Sequence, residues 1–323
     1  MSRIKKVIGM IVCMGLLLGF TGCGETEKSD NTLRLGVYTG GADHFIAVIA
    51  QEQGFFEKHG LQVKITEFAT GLNTVDAIVT DQEDIGLITD YAGINRIGST
   101  KEECNIKIIA RYSTSDTFCT LYVNPKLVTK TEELAGLGVA TIPGTFLDYF
   151  NAATFEAVNI PEEEQNLINV DSEQTALGIL SNGEAAAYWL TSAAVSKAEE
   201  LGLTPLLTMH DLELSIDAYY VASDSFLKKQ EDVAEEFLAA IADAQKWIEE
   251  NQEEAAAVIE EKIHMPAEQV IASLEATELV LDFGKDSEEH LTKMKDWAIG
   301  AGNFEGDFEI SDFVDTTALE NYK

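Results

Sequence analysis

The stretch Leu33 to Val63, LRLGVYTGGADHFIAVIAQEQGFFEKHGLQV, constrains the fold most, because its apolar residues change period twice within one short segment. Leu33, Leu35 and Val37 alternate as in a strand, Gly40-Gly41 breaks the pattern, and Phe45, Val48, Ile49 and Phe56 recur at helical spacing. Gly60 suits the left-handed residue that ends a helix, where a Cβ would clash, and Leu61, Val63 and Ile65 restore the period of two. One βαβ unit follows, and with it an α/β chain.

Within that unit AQEQGFFEKHGLQV resembles a signature near the start of the extracytoplasmic solute-binding proteins for sulfonates, nitrate, taurine and thiamine precursors. Ala50, Gly54, Phe55, Phe56, Gly60, Leu61 and Val63 carry the likeness. The resemblance implies a two-lobe, periplasmic-binding-protein-like (type II) fold with a hinged cleft, a small-molecule ligand held between the lobes, an ABC transporter permease as partner, and no cofactor. It divides the chain into a signal peptide over 1–22, a lipidated tether over 23–32, a first lobe of 33–112 with 221–323, and a second lobe of 113–220.

The leader is read from residues. Arg3, Lys5 and Lys6 precede the apolar run Val7 to Phe20 and then Thr21-Gly22-Cys23, a secretory signal with a cysteine at its cleavage point. The run is shorter than the about 20 apolar residues of a spanning helix. Gly22-Cys23 resembles the bacterial lipobox, with Phe20 where Leu is usual, which implies lipidation of Cys23 and anchoring at the extracytoplasmic face of the bacterial cell membrane. Losing three bases and no acid takes the formal charge from −34 to about −37. Such a field repels phosphate backbones and anionic lipid, so nucleic acid is excluded as a partner and membrane attachment falls to the lipid. Cys104 and Cys119 remain beyond Cys13 and Cys23, with no metal-ligand spacing; a disulfide between them is permitted but not demanded.

Ligands in open α/β sheets gather beyond the carboxyl ends of strands. Tyr38 follows the first strand, and Asp90-Tyr91 follows the apolar strand Asp84 to Asp90. Asn73 opens the helix Thr74 to Thr80, whose outward N–H groups receive an acceptor. Asp43-His44 resembles the Asn-His pair of thiamine-pyrimidine binders, and a capping role fits His44 equally. Ser113 to Thr117 separates two strands and by resemblance is the first crossing between lobes, with Arg111 beside it reading as a structural ion pair.

Gly136 to Ile142 followed by Pro143-Gly144-Thr145-Phe146 resembles the family's opening of the second lobe, with Leu137 and Gly138 where Gly and Lys are usual. Thr145 caps, and Phe146 and Asp148 stand at the positive end of the helix Leu147 to Val158. The Lys-Ser/Thr pair of a P-loop is missing. Ala185 to Trp189 resembles a further family segment, with Glu184 and Thr191 where Asp and Pro are usual; Trp189 is either a stacking wall for the ligand or a packed interface residue. Leu214 to Ala222 is the return crossing and places Asp217 near the hinge. Helices are expected over Lys229 to Asn251, Glu253 to Lys262, Ala267 to Val280 and Asp286 to Gly300, with Phe304 to Phe313 and Asp315 to Lys323 as a surface cover.

No chemistry of catalysis emerges. The five histidines are scattered without HExxH or a neighbouring Cys, no GxSxG or GxGxxG occurs, and the cysteine-rich iron-site motif of the yeast thiamine-pyrimidine synthases, which share the family's fold, is absent. The acids Asp43, Asp90, Asp148 and Asp217 outnumber Arg111. A carboxylate facing an amine or ring N–H gains a charge-assisted hydrogen bond of about 1.5–3 kcal/mol, whereas one facing a sulfonate costs Coulomb energy. The expected ligand is a nitrogen heterocycle such as a thiamine pyrimidine precursor, with an aliphatic sulfonate, taurine or nitrate as the alternative.

Overall fold

The computed structural model describes residues 32–100 and 105–322; the leader, Cys23 and Cys104 lie outside the described residues. The chain lays down β1 (Thr32–Tyr38), β2 (Gln62–Phe68), β3 (Ile85–Thr89) and β4 (Ile106–Ser115). It then crosses to a second lobe for β5 (Cys119–Val123), β6 (Gly138–Thr141), β7 (Asn166–Asn169), β8 (Ala187–Thr191) and β9 (Thr204–Thr208), and returns for β10 (Ile216–Ser223) and β11 (Glu278–Asp282). The sheets have the orders β11-β4-β10-β3-β1-β2 and β7-β6-β8-β5-β9. This is a two-lobe α/β architecture in which β4 and β10, neighbours in the first sheet, lead into and out of the second lobe.

The opening unit forms as its periodicity predicts. β1 pairs in parallel with β2 along its whole length, from Thr32 opposite Gln62 to Tyr38 opposite Phe68. Helices Ala42–Glu52 and Phe55–Lys58 connect them, and Gly60 takes the expected left-handed φ of 72°. Leu33, Leu35 and Val37 are fully buried in a cluster with Phe45, Ile46 and Ile49 and with Phe237, Leu238 and Ile241 of the long helix Glu231–Glu250. That burial, rather than helix propensity, holds the unit together.

Three segments depart from the expectation. The helix begun at Ala267 stops at Glu275, and Glu278–Asp282 pairs with the free edge of β4 as β11. Leu279 and Leu281 pack on the first-lobe core there, a gain that helix continuation would forgo. β10 pairs with both β3 and β4, so residues 216–220 lie in the first sheet and the return crossing precedes Ile216. The segment after Asn303 is more than a cover: Phe304 and Ile310 are buried, and the Asp315 N–H donates to the Ile108 carbonyl at 2.9 Å. β7 and β9 have no clear sequence signal; β9 is an edge strand, which is where its Pro205 is tolerated.

The lobes also meet through an aromatic bridge. Trp297, in the helix Lys285–Gly300, stands edge-on between Tyr91 at 5.4 Å and Tyr149 of the second lobe at 5.0 Å between ring centroids. Among the described residues no helix is long and apolar enough to cross a membrane.

Candidate functional site

The carboxyl ends of β1, β3 and β4 and the start of β10 converge on one cleft between the lobes. Its aromatic walls are Tyr38 and Tyr112 from the first lobe and Phe118 and Phe146 from the second. Hydroxyls come from Thr89, Ser113, Thr114, Ser115 and Thr277, apolar surface from Leu87, Ile216 and Ala218, and the single acid is Asp43; no Lys, Arg or His lines it. The cavity measures about 90 Å³. Clefts for drug-sized ligands measure about 300–1,000 Å³ and an apolar cavity of about 150 Å³ admits benzene, so a ring-sized solute requires the lobes to part further.

Asp43 sits in the first turn of the helix Ala42–Glu52 and is only 1 % exposed. Its Oδ2 accepts the Tyr38 N–H at 2.8 Å, and the Tyr112 hydroxyl faces Oδ1 at 3.5 Å. Burial outweighs these contacts and pushes the carboxyl up to about 7. Behind it the rings of Tyr112 and Tyr220 lie 4.5 Å apart, and both phenols are raised by burial first and then by the charge of Asp43. Tyr38 is 36 % exposed, and loss of water, followed by the charges of Glu173 and Asp43, pushes its phenol up to about 12. Glu173 belongs to the second lobe, accepts the Thr191 N–H and hydroxyl at 2.9 Å each, and is itself raised by burial.

Residues 41–255, which span both lobes, match the family model described as NMT1/THI5 like. The chain belongs to the NMT1/THI5-like family. Among solved structures it is similar to the periplasmic aliphatic sulphonate binding protein SsuA of Escherichia coli, with a TM-score of 0.75 and 16 % identity over 89 % of this chain and 92 % of that one. It is also similar to the alkanesulfonate-binding protein SsuA from Xanthomonas axonopodis pv. citri bound to MOPS, with a TM-score of 0.74 and 12 % identity over 88 % and 98 %. The desulfurization enzyme DszB shares the fold as well, with a TM-score of 0.68 and 11 % identity over 90 % and 98 %. At these identities the likeness is one of architecture: a two-lobe periplasmic-binding-protein fold that serves binding proteins and at least one enzyme. A comparison with curated protein sequences finds no match.

Of the residues expected from sequence, Tyr38, Asp43 and Phe146 meet in the cleft of this NMT1/THI5-like chain. Trp189 does not. It is 1 % exposed, its Nε1 donates to Thr154 Oγ1 at 3.1 Å, and it packs edge-on against Phe150 at 5.4 Å, so it is core of the second lobe and not a stacking wall. Asp90, Tyr91 and Asp217 also turn inward, because buried carboxylates need partners and the protein supplies them there. Asp90 Oδ2 accepts the Asp217 N–H at 3.0 Å and faces His290 Nε2 at 2.7 Å, and Oδ1 accepts the Tyr91 N–H at 2.6 Å. Burial opposes the charge on His290, but Asp90 outweighs it and raises the imidazole. Arg111 is an ion-pair hub, donating to Asp217, Asp282 and Asp286.

His44 faces another way. Its Nδ1 accepts the Gly40 N–H at 3.2 Å, and Nε2 lies 3.8 Å from Glu67 in a separate groove with Lys262. Burial lowers its pKa against the pull of Glu67, which favours the neutral capping ring. Asn73, Thr145 and Asp148 hold helix starts: Thr70 Oγ1 accepts the Asn73 N–H at 3.3 Å, Thr145 Oγ1 accepts the Leu147 N–H at 3.4 Å, and Asp148 accepts the Gly144 N–H at 2.7 Å. The two loops come together at Leu72, whose side chain lies 3.8 Å from where a Cβ on Gly144 would stand. Tyr112, Phe118 and the hydroxyls of Ser113 to Ser115 went unrecognised in the sequence, although the strand-end rule that selects Tyr38 applies equally to β4. Among the described residues no group of His, Cys, Asp and Glu is arranged to hold a metal ion.

Proposed function

We propose that this chain is an extracytoplasmic solute-binding lipoprotein, anchored through lipid on Cys23, that captures a small molecule between its lobes and passes it to an ABC import permease. One observation carries the reading: an interlobe cleft with aromatic walls from both lobes, a single buried carboxyl and no cationic side chain. A solute touching both lobes binds the closed state better than the open one and so drives closure. The ligand is a small nitrogen heterocycle, such as a thiamine pyrimidine precursor, whose N–H donates to Asp43 while Tyr38, Phe118 and Phe146 enclose the ring. The family's binding-protein fold supports this role.

An aliphatic sulfonate, taurine or nitrate is the second reading, favoured by the hydroxyl row and by the shared fold with the two sulfonate-binding proteins. Asp43 works against it, as a carboxyl beside an anion, and the Ser115 hydroxyl is already committed to the Ala276 carbonyl. Catalysis is disfavoured by chemistry as well: the Cys119 thiol is buried and pushed well above its ordinary pKa, the opposite of an activated nucleophile.

A thermal-shift screen tests the ligand class. Aminopyrimidines are expected to raise the melting temperature, since about 100 times Kd of ligand adds about 2.7 kcal/mol of stability; stabilisation by alkanesulfonates alone would reverse the assignment. The anchor has its own test. Cys23→Ser is expected to release folded protein from washed membranes, because the tether GETEKSDN contributes no apolar residue to a core; retention of the variant in the membrane fraction would contradict lipid anchoring.

A further inference from the structure

We propose that Asp43 sets the charge of the solute: it is a neutral acid before binding, and a small organic cation takes the place of its proton. The inference rests on the cleft being the solute site proposed above. Asp43 is buried, and its carboxyl is met by the Tyr38 amide at 2.8 Å, by the amides of Asp43 and His44 in the first helical turn, and by the Tyr112 phenol at 3.5 Å. Every titratable group around it is neutral or acidic. Tyr38 ends β1 and feels the charge of Glu173, Tyr112 lies on β4, Tyr220 on β10, and His44 in its own helix is turned toward Glu67 with its ring neutral. No cationic side chain is provided for a carboxylate, and burial without one favours the protonated form over the pull of the helix-start amides. Burial pushing the group up to about 7 agrees with that geometry.

A cation with an N–H supplies what the site lacks, a full positive charge. The exchange balances: one cation enters, one proton leaves Asp43 for solvent, and the site stays neutral overall. A neutral ring nitrogen of sufficient basicity takes the same proton directly and retains it. An anion finds no cationic side chain to compensate its charge, and the one donor Asp43 offers, its carboxyl O–H, is lost as the group ionises.

Acetamidinium, a fixed planar cation, and acetamide, its neutral isostere, are the probes. Titration calorimetry is expected to show acetamidinium association rising about tenfold per pH unit from pH 5 and levelling above about 7, with proton release on the rising limb. Acetamide should show no such rise, and Asp43→Asn should abolish it. Carbon-13 NMR of the aspartate carboxyls in the ligand-free protein should show one midpoint near 7 that is missing from Asp43→Asn. Acetamidinium affinity flat from pH 5 to 8, or Asp43 ionised at pH 5 in the empty protein, would overturn the inference. Either result alongside tight binding of a neutral or anionic solute leaves the solute-binding reading standing; a protein that binds no solute removes both.

Discussion

Arg111→Ala is expected to cost about 3–5 kcal/mol of stability, read as a lower denaturant midpoint, because it strands a buried charge. Arg111 is 9 % exposed on β4 and donates from Nη1 to Asp217 at 3.1 Å, from Nε and Nη2 to Asp282 at 2.8 and 3.0 Å, and from Nη2 to Asp286 at 2.8 Å. Asp217 is buried on β10, with only the Tyr219 hydroxyl as a second side-chain donor. The hub therefore ties together the two strands that lead between the lobes and fastens β11 to the same edge. Arg111→Lys should rescue little, since an ammonium cannot make the paired contacts of the guanidinium fork. Desolvation opposes charge on Asp286, but Arg111 wins and holds its carboxyl below the usual range. That contribution is complete above the ordinary carboxylate pKa and is lost as pH falls through the lowered one. A midpoint unchanged in Arg111→Ala at pH 7 would show that the hub contributes nothing.

Trp189→Ala is expected to cost about 3–5 kcal/mol as well, while leaving the solute affinity of the folded protein unchanged. The side chain fills the second-lobe core, edge-on to Phe150 and bonded through Nε1 to Thr154, so the substitution leaves a cavity and takes one hydrogen bond from the Thr154 hydroxyl, which still donates to the Phe150 carbonyl. Trp189→Phe should recover most of the loss. A large drop in affinity with little change in stability would return Trp189 to the role of a ligand wall.

The contrast between Trp189 and Tyr38 marks what could be read from sequence. In the sequence both stand at the ends of apolar runs, yet Tyr38 ends β1 while Trp189 lies in the middle of β8, which continues to Thr191. Which side a residue faces is decided by the helices that cover the sheet, and those are legible only once packed. Asp43 was recognisable from its turn, yet so was Asp90, and only packing distinguishes a carboxyl that meets amides and a phenol but no basic side chain from one matched with His290. The βαβ unit was legible because each strand and helix there carries its own period, whereas the two lobes were implied by the family resemblance alone. β11 was not, because LVL is apolar at either period and the unfilled edge of β4 decides its state.

Native mass spectrometry of the protein purified from its own cells, as wild type and as Asp43→Asn, tests the claim of solute capture most directly. The account predicts one small solute per chain carrying a basic nitrogen, held about 10- to 100-fold more weakly once the charge-assisted bond to Asp43 is gone. A sulfonate bound equally by both proteins would contradict it.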